Sequence, residues 1–466
     1  MSKTKAASDN NAFVKAVMWL LNDIKDIGVT FVTCSWATKL SYIIMGFGHL
    51  IRKQFARGLG FLAVEAGIIY YLIAHGSNYL KDFNTLGTTL GGFDENYVYT
   101  YGDNSFFILL YSLLSIFLIL ILVVFWRINI KDNKNCENLV KEGKKLPSSR
   151  EDLASLLDEK FHVTLLAIPV VGVFIFLVLP IAFMICVAFT NYDYNHQAPT
   201  NLFTWVGLEN FKNLFSFSAG GFGYTFFVVL AWTLVWAFFA TFLNYFLGMG
   251  VAILINKKGV KFKKLWRTVL VMTIAVTKFV SLLYVYKMFA ADGIINSYLM
   301  TWGWIEQAIP FWTQKEYTWP TILGINVWIG IPYSMLICTG LLMNIPADLY
   351  ESARIDGANK WQMFKKITLP YMLFVTGPYL LTSYTGNLNN FNVIYLLTQG
   401  KPQSVKLTGH AGYSDLLVTW LYKMTVTDTN YKMAACIGIM VFIVVSVITV
   451  LVYGFLPSVK DEEGFQ

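Results

Sequence analysis

Charge is scarce in this chain of 466 residues: Asp, Glu, Lys and Arg make up only 14%, hydrophobic residues make up 56%, and mean hydropathy is +0.53. That balance excludes an ordinary water-soluble domain. Cysteine is scarcer still. Cys34, Cys136, Cys186, Cys338 and Cys436 stand far apart with no C-x-x-C, so the spacing encodes neither a disulfide framework nor a zinc ribbon. His49, His75, His162, His196 and His410 fall in separate segments, none with a second His or a Cys at metal-ligand spacing, and no metal is expected. There is no G-x-S-x-G elbow for a nucleophilic serine. The nearest thing to a phosphate loop, Gly400-Lys401-Pro402, lacks the upstream glycine spacing and the Ser or Thr after the lysine. No catalytic residue is therefore expected, and ATP cannot be hydrolysed by that route. A net charge of +8 could serve nucleic acid or anionic lipid if the charges clustered; they are distributed by membrane topology instead, and nucleic acid is not an expected partner.

What the chain has is long uncharged runs. Stretches of the length needed to cross hydrocarbon lie near 59–75, 105–126, 163–190, 223–255, 267–289, 318–343, 367–397 and 431–456. The expected fold class is an all-α polytopic membrane protein with about eight transmembrane helices. An even count puts both termini on one side. With the termini inside, 27 Lys and Arg face the cytoplasm and 7 face out, and the positive-inside rule fixes that orientation. The first ten residues are polar, and Lys25 and Asp26 interrupt the apolar residues after them, so no cleavable signal peptide is expected. Ala12 to Ile27 reads as an amphipathic helix on the inner lipid surface, with a short cytosolic helix as the alternative. Glu65 and Lys278 fall inside spans, where charges are functional candidates by default; pairing within the bundle is the preferred reading for Glu65.

Between the sixth and seventh spans lies Glu351-Ser352-Ala353-Arg354-Ile355-Asp356-Gly357-Ala358, followed by Phe364 and by Ile367-Thr368-Leu369-Pro370. A polar helix-turn-helix placed between hydrocarbon runs reads as a docking surface. Gly357 supplies the turn and Pro370 opens the next helix, where a missing N–H costs nothing. The run resembles the EAA motif of ATP-binding-cassette importer permeases, with Ser352 where Ala is usual. That resemblance implies a type I permease core of six helices. It also implies an ATPase-coupling role for Glu351, Ser352, Ala353, Asp356, Gly357, Ala358 and Phe364, with Glu351 and Asp356 as polar contacts.

Two polar stripes cross the apolar background. Ser383, Asn387 and Asn390 recur at i, i+4 and i+7 in span seven; Asn326, Ile329, Gly330 and Tyr333 recur at i, i+3, i+4 and i+7 in span six. Amides and hydroxyls at membrane depth need partners, which neighbouring helices or a hydroxyl-rich ligand can supply, and both readings stay open on spacing alone. The run Asn387 to Pro402, then Ala411 to Val418, and also Asn326 to Tyr333, resemble the larger permease subunit of the maltose/maltodextrin family. The likeness is closest from about residue 320 onward, looser over 160–320 and in Met45 to Leu50. It implies that Asn326, Ile329, Gly330, Tyr333, Ser383, Asn387 and Asn390 line a sugar site halfway across the membrane.

The resulting organisation is a cytoplasmic amphipathic segment 1–58, two accessory spans in 59–126, a cytoplasmic linker 127–160, a six-helix core 161–456 with its coupling loop at 344–370, and a tail 457–466. Some relatives insert a large domain after the third span, whereas here about 30 residues, Asn191 to Gly221, bridge it. Span five has Ala275-Val276-Thr277-Lys278 where many relatives carry a proline, so that family's sugar contacts are not carried over there. Lys278 is left between a ligand hydroxyl and a neighbouring carboxylate. The resemblance implies a second homologous permease subunit, two ATPase subunits holding ATP and Mg, an extracellular solute-binding protein and an oligosaccharide, most directly a maltodextrin. Galactan and raffinose-type sugars are the alternatives. A membrane-embedded enzyme on lipid-linked sugar would need clustered carboxylates or metal ligands, and a secondary carrier would need paired intramembrane charges on broken helices; neither accounts for the element at 351–370.

Overall fold

Hydrocarbon offers a backbone no hydrogen-bond partner, so apolar runs of this length satisfy themselves as helices. The computed structural model describes residues 2–93, 97, 99–217, 220–257 and 259–455, and its regular structure is helical except for a two-residue ladder, Gly92–Phe93 with Tyr99–Thr100. The tail expected at 457–466 lies outside the described residues. Six helices among them are long and apolar enough to span: Phe55–Lys81, Ser105–Lys141, Phe161–Val187, Phe222–Asn256, Lys315–Leu342 and Tyr431–Gly454. A seventh is a pair, Lys263–Ala275 and Lys278–Met288, bent by 91°. Helix Leu369–Leu388 is 20 residues long, and Thr376, Thr382, Ser383, Thr385 and Asn387 hold it below the apolarity of the six. Among the described residues the count is therefore six, or seven with the bent pair, and Leu369–Leu388 stands where the expected seventh run lies.

Two compact units divide the chain, one of residues 1–186 with 196–205, the other of 187–195 with 206–466. The third span lies in the first unit with the two accessory spans.

In the first unit the helix Ser105–Lys141 runs for 37 residues, about 55 Å at 1.5 Å per residue, against a hydrocarbon core of about 30 Å. The charges after Trp126 pointed to a linker; the helix instead continues through them and stops at Gly143, whose φ of +70° lets Lys144 N–H bond back to Leu139 O at 2.9 Å. It continues because the charged and amide groups are paired. Asp23 meets Arg127 and Lys131 at 2.5 and 2.6 Å. Asn129 Nδ2 donates to Ser41 O at 2.9 Å, and the Glu137 carboxylate accepts from Ser35 N–H and from the Ser35 and Thr38 hydroxyls. The buried polar positions 129, 133 and 137 fall four apart, on one helix face. Short helices Trp36–Leu40 and Phe47–Ile51 cover it. Glu65 is held inside this unit, accepting from Met45 N–H at 2.7 Å.

In the second unit Phe222–Asn256 and Lys315–Leu342 pack closely along their lengths. Gly248 is what allows it: a Cβ there would lie 2.5 Å from Ser334 Cβ and 2.9 Å from the Met335 nitrogen. One core layer centres on Trp232, Trp236, Leu282, Ile322 and Ile394, a second on Tyr245, Met249, Cys338 and Met372. Trp232 stacks on Trp319 with centroids 4.1 Å apart, and their indole N–H groups donate to Ser414 O and Tyr413 O. Asp415 of the loop they hold pairs with Lys423 of the following helix, Leu417–Val426, at 2.6 Å, both side chains buried.

Two expected spans are interrupted. The run 267–289 breaks at Val276–Thr277, both extended, without a proline; five residues from Thr273 to Thr277 include four β-branched side chains, which favour helix weakly. The run 367–397 ends as a helix at Leu388 and restarts at Phe391. Pro370 falls in the first turn of Leu369–Leu388, as expected, although that helix follows the preceding one without a break. A π-helical turn, Phe364–Thr368, immediately precedes its helix, so the register shifts just where the proline can donate no hydrogen bond.

Candidate functional site

The polar stripes converge on the second unit, and a third helix joins them. On Lys315–Leu342, Asn326 is buried, Ile329 and Gly330 are half-buried and Tyr333 is exposed. The Tyr333 ring lies 6.4 Å from that of Tyr379 on the next helix. Facing Gly330 is Asn244 of Phe222–Asn256, whose side-chain atoms lie 2.3 to 2.7 Å from where a Cβ on Gly330 would sit. The Asn244 Oδ1 and the Asn326 Nδ2 are both buried without a hydrogen-bond partner. Unpaired amide atoms in a water-poor interior are costly, about 1–3 kcal/mol each, and are the atoms a hydroxyl-bearing ligand satisfies.

The stripe on Leu369–Leu388 is shorter than its spacing predicted. Ser383 and Asn387 share the helix, both half-buried. Asn390 lies beyond the break and caps the next helix, its Oδ1 accepting from Val393 N–H at 3.4 Å. Periodicity alone could not detect the break, because an amide serves a cap as well as a stripe. Asn390 nevertheless returns to the cluster through Nδ2, which donates to Asn387 Oδ1 at 3.2 Å. Asn387 Nδ2 in turn donates to the Thr241 hydroxyl at 2.9 Å, so part of this stripe does join helices. Thr241 and Asn244 were not singled out from sequence. The available signal was that Asn244 is the one amide between Phe222 and Ile255. Lys278 opens the second limb of the bent pair and is exposed.

The second place of interest is the element at 344–370. Helix Ala347–Ile355 ends at Asp356; Gly357 comes next with φ of +78°, and Ala358 N–H bonds back to Ala353 O at 2.9 Å. Asn359 and Gln362 form a reciprocal capping box that starts Lys360–Met363. The result is two short helices joined at a glycine that takes a left-handed conformation other residues resist. Glu351, Ser352, Asp356 and Gly357 are exposed, while Ala353, Ala358 and Phe364 are half-buried. The large apolar groups left in the open are ones the motif did not name: Ile355 is 86% and Trp361 69% exposed. Trp361 stacks on Phe364, 5.5 Å apart.

Residues 244–460 match the family model described as binding-protein-dependent transport system inner membrane component. The chain is 34% identical over 430 residues to the maltodextrin transport system permease protein MalC of Streptococcus pneumoniae, covering 90% of this chain and 96% of the relative. It is 33% identical over 425 residues to the galactooligosaccharides transport system permease protein GanP of Bacillus subtilis, covering 90% and 97%. Among solved structures, a chain of a bacterial alginate ABC transporter in complex with an alginate pentasaccharide-bound periplasmic protein aligns with a TM-score of 0.54 at 21% identity, over 66% of this chain and 98% of that one. At that identity the likeness speaks for the fold.

Proposed function

Because this chain belongs to the sugar-transporting permeases of the binding-protein-dependent ABC importers, we propose that it forms one half of a membrane pathway for oligosaccharides, most directly maltodextrins. The carrying observation is the pair of unsatisfied amide atoms on Asn244 and Asn326 beside Gly330. Around them Tyr333 offers a ring and a hydroxyl for a pyranose, Ser383 a hydroxyl and Asn387 an amide. Ile329 contributes an apolar wall, and Asn390 steadies Asn387.

A solute-binding protein hands the sugar to the outer mouth of a heterodimer made by this chain and a homologous permease. Two ATPase subunits, with ATP and Mg, dock on the cytoplasmic element at 344–370. Exposed Ile355 and Trp361 are the apolar anchors, Glu351 and Asp356 the polar rim, and Ala353, Ala358 and Phe364 the backing. As the ATPases close and reopen, the 344–370 helices act as levers and the spans rock, so that the site changes sides and ends in the inward-facing state. Since a ligand biases an equilibrium only through differential affinity, the sugar is held less tightly there. The chain itself is a transport subunit and hydrolyses nothing.

A galacto-oligosaccharide is the second reading, supported by the near-equal identity to the maltodextrin and galactooligosaccharide permeases. Uptake of labelled malto- and galacto-oligosaccharides decides between them in cells with the intact chain and with N387A/Y333A at matched expression. The double variant is expected to lose uptake while the complex still assembles. Unchanged uptake makes the stripes helix contacts only. An intact strain that imports galacto-oligosaccharides and no malto-oligosaccharide moves the substrate to the second reading.

A further inference from the structure

Three side chains that the sequence leaves far apart meet in the first unit. His49, Asp132 and Cys136 present a ring nitrogen, a carboxylate oxygen and a sulfur, all within 4.8 Å of one another. His49 is 0% and Cys136 2% exposed. Asp132 and Cys136 lie one turn apart on Ser105–Lys141, and His49 comes from the short helix Phe47–Ile51 packed against it. The expectation of no metal rested on sequence spacing, which cannot see a contact between residues more than eighty positions apart.

Hydrogen bonding sets the histidine tautomer. Gln54 is 1% exposed; its Nε2 donates to Pro147 O at 3.4 Å, which leaves Oε1 to accept from His49 Nδ1 at 2.9 Å and from the Cys136 thiol at 3.3 Å. His49 therefore carries its proton on Nδ1. Its Nε2 presents a lone pair, buried without a hydrogen bond, toward Asp132 Oδ2 at 3.5 Å. A lone pair facing a carboxylate oxygen is repulsive unless a proton or a metal cation lies between them, and Asp132, 30% exposed, leaves the site open to one from solvent. An imidazole whose far N–H is fixed by an amide or carboxylate is the arrangement that metal-binding histidines show.

The local charge favours a cation too. Arg57 bonds Asp132 at 3.1 Å and Asp152 at 2.5 Å, so one guanidinium faces two carboxylates; Arg52 is engaged by Glu137, Asn133 and Thr38. A divalent ion binding with release of the Cys136 thiol proton cancels the remaining negative charge. Arg57 holds both oxygens of Asp132 from one side, and a carboxylate has lone pairs for a second partner.

We propose that His49 Nε2, Cys136 Sγ and a carboxylate oxygen of Asp132 form a binding site for a divalent transition metal of the zinc class, with Gln54 as its outer support. Nitrogen, sulfur and oxygen donors together suit Zn²⁺ and Co²⁺ far better than Mg²⁺ or Ca²⁺. Three protein ligands leave a fourth position for water. The ion would pin the 47–51 helix to the long helix.

The test is a Co²⁺ titration of the full-length chain in its purified transporter complex after chelator treatment, read by absorption, with Zn²⁺ retention measured in parallel. One equivalent per chain with sulfur-to-cobalt charge transfer in the near ultraviolet is expected. C136S should abolish that band, C34S should keep it, and Q54A should weaken binding about 10–100-fold. A folded wild-type complex with no charge-transfer band overturns the proposal whatever the variants do, and so does a band that survives C136S.

Discussion

A single absent Cβ decides how closely two spans approach. At Gly248 the space is taken by Ser334 Cβ and the Met335 backbone, whereas at Gly250 nothing lies within 4 Å. Gly248→Ala should therefore force the two helices apart and destabilise the protein by about 1–3 kcal/mol, while Gly250→Ala should be nearly neutral. Thermal melting of the purified complex with each variant checks this, and equal melting temperatures would contradict it. Spacing made Asn326, Gly330, Tyr333, Ser383 and Asn387 readable, because a 3.6-residue period survives in any straight helix. Thr241 and Asn244 escaped because their run is otherwise aromatic and aliphatic, and because which helix faces a stripe is a matter of tertiary packing.

At the scale of elements, the glycine turn at 357 was plain from sequence, since few other residues sit at φ of +78°. Gly357→Leu places a branched-chain residue in that conformation at a cost of about 1–2 kcal/mol. The expected outcome is a disordered two-helix element, with sugar-stimulated ATPase activity and transport lost together. Normal assembly and transport in that variant would remove the coupling role. Element boundaries were harder to read. A charged stretch after an apolar run looks like a linker until its charges find partners, and those of 127–141 find theirs in Asp23, Asp26 and Ser35. Pro370 marked its helix start correctly, but the π-helical turn that joins that helix to the one before leaves no mark in local composition.

For the whole molecule, membrane class was the most legible feature, because it rests on sums over many residues rather than on any one contact. Both termini and the loops at 127–160 and 344–366 are expected inside. Reporter fusions after Lys145 and after Phe455 should both report a cytoplasmic location, and an external signal from either would reverse the topology and detach the 344–370 element from any ATPase. Less legible was the grouping of the third span with the accessory ones, which rests on contacts such as Phe174 with Phe117 and Phe183 with Phe106.

The unbroken helix from Ser105 to Lys141 makes angles and distances interchangeable. A straight helix of about 55 Å converts a tilt of about 10° at its Ser105 end into a sideways travel of about 10 Å at its Lys141 end. The residues carried through that arc, Asn129 to Glu137, are those the 35–57 segment grips through side-chain bonds. A rigid tilt of this helix therefore either carries residues 35–57 with it or is resisted by them through these bonds.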